Sequence, residues 1–491
     1  MALAGVALLV CAWAATNPMS GAPDELDHEL RALSIGHGEL VGHKLPNIEA
    51  TPAEPRCCAS NNASARAWVE RGARIVRVRS QIDPLLLPCN RVVAGQTKRC
   101  DVPRQNTSFR QEITTMGTIE AAAYVPSALA SRLAWSPFSA LMLTRFASAT
   151  CALILTGLGL VALRLNRRGP WAVVGALFAL TPGVTLVFSS PSPNAIEISA
   201  AFAFFAGILA ASEAAPVTRV EAAAGWLGAL GLVASRSLGP GWLILLTLIA
   251  VALNGPSELR HRLALRPRIV IGAAVVGAAL LVTVAWEALV QPHVPFNAAF
   301  FVHQIKPAFD QHTRISHEYV GVFGSVNLPM RDFVYAWWLW LLAVLVAGAV
   351  VVGSMRERLV VVGVFGVSVA AFVGISAALL RQNGFDVQAR HVLPVVMTLP
   401  VVAGVVLGRH LSSRWSVTAI GAGAFVALVQ LTGWAMNTAI YAPGPGGVAP
   451  RPVWGRAMFR LAFDRRGWAL IALAGAALIA LAPVFATREA P

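Results

Sequence analysis

Apolar and polar residues along this chain fall in long blocks, not at short period. Apolar blocks lie near residues 1–16, 137–163, 171–188, 195–212, 220–235, 239–253, 269–290, 333–353, 359–380, 391–408, 416–440 and 467–486. About 20 residues suffice for one bilayer crossing. In lipid every backbone N–H and C=O needs an internal partner, and no block carries the period-2 alternation of a barrel strand. The pattern therefore predicts about twelve membrane helices. The stretch 220–253 reads as two short spans because "SRSLGP" places Gly239 and Pro240 in its middle, and both residues break helices.

The polar blocks set the organisation. A first span (1–16) leads into a long hydrophilic segment (17–136), followed by spans (137–290), a loop (291–332) and C-terminal spans (333–491) with a second loop at 441–466. The opening "MALAGVALLVCAWAATNPMS" lacks the basic n-region of a cleaved signal, so it reads as a retained helix. No long internal repeat is visible, which weighs against an inverted-repeat transporter.

Composition agrees with the block pattern. Hydrophobic residues make up 56% of the 491 and charged residues only 13%, against about 25% charged in soluble domains. Mean hydropathy is +0.64. The chain reads as an all-α polytopic protein of the plasma (inner) membrane. The net charge of +15 suits the positive-inside bias and anionic lipid headgroups. The basic residues are scattered over loops and not gathered on one soluble module, so nucleic acid is not an expected partner.

Loop charges orient the helices. With 17–136 outside, Arg164, Arg167, Arg168, the Arg260–Arg268 cluster, Arg356, Arg358, Arg409 and Arg414 all fall inside. The five arginines of "RPVWGRAMFRLAFDRR" fall outside, against the trend. The long loops lie outside and the inner ones are short, so chemistry is expected on the extracytoplasmic face.

Cys57, Cys58, Cys89 and Cys100 share the 17–136 segment, without the CxxC spacing or accompanying histidines of a zinc site. In an oxidising compartment they would form one or two disulfides. Cys11 and Cys151 lie in apolar spans and read as packing residues.

The segment "PDELDHELR" follows the first span. Pro23 suits a first helical position, and Asp24 and Glu25 suit a helix N-terminus. At about 100° per residue, Asp24, Asp27, His28 and Arg31 share one face and Leu26, Leu30 and Leu33 the opposite one. This predicts an interfacial amphipathic helix, its leucines turned toward lipid or a neighbouring helix. Three readings of the polar face stay open: a solvated surface, a divalent-cation site from Asp24, Asp27 and His28, or a catalytic carboxylate at the bilayer surface. Glu197 and Glu287 are alternative carboxylates, each more simply a hydrogen-bonded residue. His303, His312 and His317 match no compact metal motif.

Four motifs in order resemble a family of predicted polytopic membrane proteins, common in actinobacteria, grouped with the GT-C glycosyltransferase superfamily. They are "GAPDELDHELRALSIGHGEL", "SSPSPNAIEISAA", "VGVFGSVNLP" and "VQARHVLPVV". Ala389 and His391 stand where that family has Gly and Tyr. The resemblance implies a GT-C-like fold and transfer of a sugar from a polyprenyl-phosphate donor to an envelope glycan or lipid acceptor on the outer face. It implies an essential acid in the first outer loop, here Asp24 or Glu25, acting as general base. Arg390, Arg236 and Arg145 are the arginines it offers for the leaving phosphate, with His28 and Arg31 beside them as substrate-binding residues. It requires no cofactor that the residues name; a divalent cation stays open. The rival readings are a transporter or lipid flippase, and a non-catalytic membrane scaffold.

Overall fold

The computed structural model describes residues 1–17, 21–44, 72–83, 108–213, 216–257, 259, 267–291, 296–324, 326–383, 387–411, 416–440 and 465–488. The four cysteines proposed for disulfides lie outside the described residues, as does most of the 441–466 loop. Cys11 and Cys151 are free and half-buried.

The body is a bundle of apolar helices. Eight described helices are long and apolar enough to cross a membrane, or nine when the bent pair Pro170–Ala179 and Pro182–Phe188 is taken as one crossing. Ala2–Thr16 and Gly239–Asn254 are apolar but shorter. Each of the twelve apolar blocks contains a helix or helix pair, but the length and apolarity criterion admits fewer crossings than the expected twelve. The centre of the bundle is the helix Pro193–Ala211, buried over most of its length. The helix Pro267–Leu289 is peripheral: only 6% of its most apolar window is covered.

The helix Arg219–Ser235 ends just before Gly239–Asn254 begins, so the "SRSLGP" break is real. Gly239 is required there, since a Cβ would sit 1.8 Å from the Leu232 carbonyl oxygen. Arg236 projects from this break.

Charged side chains gather at two opposite ends of the bundle. At one, Glu213 pairs with Arg168 and Arg409, Glu221 with Arg164, and Glu357 with Arg409 and His410. The other end carries a three-stranded antiparallel sheet, β1 (His43–Lys44), β2 (Arg74–Arg79) and β3 (Phe109–Thr114), in that order. The helices Ala298–Asp310 and His312–Val320 and a small hairpin of β4 (Val322–Phe323) and β5 (Leu328–Pro329) lie at the same end. Both strands of this hairpin lie in the "VGVFGSVNLP" motif.

The leucines of the helix Glu25–Gly36 meet protein, one of them on a neighbouring helix and two on the sheet side. Leu30 and Leu33 pack with Val76, Val78 and Ile82 of the sheet side, and Leu26 on Leu141 and Met142. The opposite side is buried too, and only Leu26 and Asp27 of the helix are partly exposed. The helix lies between sheet and bundle, and its polar residues are held by protein.

Candidate functional site

In sequence, residues 17–24 join the first helix to Glu25–Gly36. The helix begins at Glu25, one residue later than the first acid, because Asp24 is its N-cap in the left-handed region (φ 57°, ψ 17°). A non-glycine residue there is uncommon, and Asp is among the types that tolerate it. Asp24 and Glu25 consequently point to different surroundings.

Glu25 turns inward. Arg145 donates Nε and Nη2 to its two carboxylate oxygens at 2.6 and 2.8 Å, and Nη1 to the carbonyls of Ala14 and Asn17. Both side chains are fully buried. This bidentate pair fixes the end of the first helix against the span Pro137–Ala162. Arg31 also works on backbone, donating to the carbonyls of Leu40 and Ile119. None of the three lines the cavity described below. Asp27 accepts from the Thr115 N–H at 2.7 Å and does not line the cavity that Asp24 and His28 face. Among the described residues no three His, Cys, Asp or Glu side chains are placed to hold a metal ion.

Asp24 faces a cavity of about 930 Å³ at the sheet-bearing end of the bundle. Its carboxylate is ion-paired with Arg390, which also donates to the Pro23 carbonyl. Burial pushes the Asp24 carboxyl up, but its neighbours, foremost the charge and hydrogen bond of Arg390, hold it below the usual carboxylate range. Asp24 is thus ionised at neutral pH.

Other elements complete the walls. Arg390 lies in the short turn Ala389–His391 before the span that begins at Leu393. Arg314 and Glu318 of the helix His312–Val320 pin that turn: Arg314 donates to the Val387 carbonyl and Glu318 accepts from the Ala389 N–H. Arg236 enters from the helix break, and Asn194 and Glu197 from the start of Pro193–Ala211. Glu197 accepts from Trp242 Nε1 at 3.1 Å. Glu287 comes from the end of the peripheral helix, beside Glu120. His317 stacks on Tyr335 with ring centroids 4.0 Å apart. Burial, with Arg236 and Arg390 nearby, holds His391 well below its ordinary range. Apolar Met116, Ile119, Leu238, Val322, Val326 and Leu379 fill in between.

Of the residues singled out in the sequence, then, Asp24, His28, Arg236 and Arg390 meet on one cavity from positions up to 366 residues apart. Glu25, Arg31 and Arg145 are held elsewhere. Glu197, Glu287 and His317 also line the cavity, although each has a simpler reading in the sequence. Asn194 lines the cavity as well, and its one signal in the sequence is the "SSPSPNAIEISAA" motif.

The family described as "Predicted membrane protein (DUF2142)" matches residues 7–399. The chain belongs to this family. The match takes in Asp24, His28, Asn194, Arg236 and Arg390, so every wall of the cavity lies inside the family segment. Among curated proteins no sequence matches. Two solved structures are similar. One is the crystal structure of ArnT from Cupriavidus metallidurans bound to undecaprenyl phosphate, 18% identical, covering 76% of this chain and 67% of that one, with a TM-score of 0.40. The other is the same protein in the apo state, 15% identical, covering 64% and 53%, with a TM-score of 0.33.

Proposed function

We propose that the chain is a GT-C-type membrane glycosyltransferase. In this reading it moves a sugar from a polyprenyl-phosphate donor to a cell-envelope acceptor on the extracytoplasmic face. The observation that carries the reading is the meeting of an ionised carboxylate, Asp24, with Arg390 and Arg236 in one cavity at the end of a membrane bundle. The ordered sequence motifs support it.

The chemistry follows from the groups. The acceptor hydroxyl oxygen forms a bond to the anomeric carbon while the bond from that carbon to the phosphate oxygen breaks. The bonding pair leaves on the phosphate, and the hydroxyl proton passes to Asp24. Arg236 and Arg390 face the phosphate, where negative charge grows. In the resting site Arg390 makes Asp24 a weak base. A phosphate that shares Arg390 draws the guanidinium away from the carboxylate and strengthens it as a base.

Undecaprenyl phosphate, the lipid in the ArnT crystal, is the carrier to test first. The purified full chain in lipid nanodiscs, given lipid-linked sugars, should transfer them, and Asp24→Asn should lose transfer by about a thousandfold or more. Full transfer by Asp24→Asn would sink the assignment. A transporter reading draws on Glu197, a carboxylate inside a membrane helix. Lipid flux in proteoliposomes with no sugar transfer would favour it.

A further inference from the structure

Arg236 stands in a helix break, where no neighbouring turn of helix limits the direction of its long side chain. A chain of polar groups does so instead. Arg236 Nη1 donates to Asn194 Oδ1 at 2.5 Å, and Asn194 Nδ2 donates to Ser192 Oγ at 3.0 Å. The Asn194 backbone N–H reaches the same oxygen at 3.3 Å. Ser192 Oγ lies 3.5 Å from His28 Nε2, and His28 Nδ1 lies 2.7 Å from the Tyr124 hydroxyl. Asn194 and His28 are 1% and 2% exposed. The remaining N–H groups of Arg236 make no hydrogen bond to a described residue, and the side chain lines the cavity.

The relay carries no net charge of its own. Two bonds from Asn194 fill the acceptor positions of Ser192 Oγ, so its proton turns toward His28 Nε2 and the imidazole proton sits on Nδ1, facing Tyr124. Burial pushes the His28 imidazole down to about 3, so the ring is neutral at physiological pH. The residue type at 194 matters for the same reason. An amide oxygen holds a guanidinium in place and leaves its charge free; a carboxylate at that position would hold it equally well and neutralise it.

We propose that Asn194 is a positioning residue: backed by Ser192 and His28, it aims the Arg236 guanidinium, without adding a negative charge at its hydrogen-bonded end, at the phosphate of a polyprenyl-phosphate ligand. The inference rests on the glycosyltransferase reading for its ligand and on the relay geometry for its mechanism.

The test measures binding of undecaprenyl phosphate to the full chain in nanodiscs, with inorganic phosphate as competitor. Arg236→Gln should weaken binding. Asn194→Asp, nearly isosteric, should weaken it about tenfold or more with an unchanged thermal midpoint, and Asn194→Ala should weaken it less. Because Asn194 acts through Arg236, the pair Asn194→Ala/Arg236→Gln should bind like Arg236→Gln alone, whereas a merely structural role would add its loss to the other. Should Arg236→Gln bind normally, or inorganic phosphate displace the lipid at equal affinity, the lipid-phosphate reading falls. Should Arg236→Gln weaken binding while Asn194→Asp binds like the unaltered protein, or the losses add, the positioning inference falls and the lipid-phosphate reading stands.

Discussion

Asp24 and Glu25 are neighbours in sequence with opposite tasks. The left-handed turn at Asp24 sends its carboxylate to the cavity, while Glu25 becomes half of a buried ion pair with Arg145. Removing one partner of such a pair leaves the other charge buried and unpaired, which costs about 3–5 kcal/mol. Glu25→Ala should therefore lower the thermal midpoint and the folded yield, and the protein that does fold should keep its substrate KM. A large fall in kcat at unchanged midpoint would return Glu25 to the reacting groups. Helical projection sets Glu25 about 100° from Asp24 and so separates the two acids, but it does not tell which one is buried, because it takes the helix to run through Asp24 whereas the helix starts at Glu25.

Glu120 gives a pH signature. Burial, then its hydrogen bond to Glu287, raises its carboxyl from 4.5 to about 8. The folded chain therefore holds a proton that the unfolded chain has lost between those values, and stability falls as pH rises through that window. Glu120→Gln should flatten this slope in a series of thermal midpoints taken across it. An unchanged slope would show that Glu120 is not the group responsible.

At the scale of elements, the first helix is held by close backbone approach. A Cβ on Gly5 would lie 2.7 Å from the Gly475 carbonyl oxygen, and one on Gly475 would lie 2.8 Å from that of Gly5. Small residues let membrane helices meet this way. Gly5→Ile should push Ala2–Thr16 off Arg465–Arg488 and destabilise by roughly 1–3 kcal/mol, seen as a lower thermal midpoint. A midpoint equal to that of the unaltered chain would mean that the contact does not bear on stability. The apolar blocks made the helices legible, since length and hydropathy decide them. The crossing of Gly5 with Gly475 was not legible, because nothing in either local sequence names a partner 470 positions away. The sheet under Glu25–Gly36 was hidden for a related reason. Its strands are short, and two of them lie far along a hydrophilic segment whose pairing is long-range.

Across the whole molecule, the arginine-rich short loops read as inner in the sequence supply the ion-paired end, and the cavity lies at the other. Positive-inside bias then predicts that the cavity faces outward. In a background without native cysteines, Leu40→Cys should react with a membrane-impermeant maleimide on intact cells and Met355→Cys only after lysis; both are exposed residues. The reverse pattern would place the cavity in the cytoplasm. Charge patterning thus gave the two ends, the motifs gave Asp24 and Arg390, and the helix-breaking "SRSLGP" gave Arg236. The walls between them were out of reach, since they depend on which helices adjoin.

The break between Pro170–Ala179 and Pro182–Phe188, bent by 62°, bears on how anything enters. Gln430 donates to the Leu180 carbonyl freed by the break and its amide oxygen accepts from Thr185. Thr181 donates to the Tyr319 carbonyl, and the Tyr319 hydroxyl to that of Phe178. Tyr319 belongs to His312–Val320, the helix whose Thr313, Arg314, His317 and Glu318 face the cavity. The bend therefore works as a rivet, fastening the helix over the cavity to the centre of the bundle. Lifting it like a lid would strand several buried polar groups at once, at about 1–3 kcal/mol each.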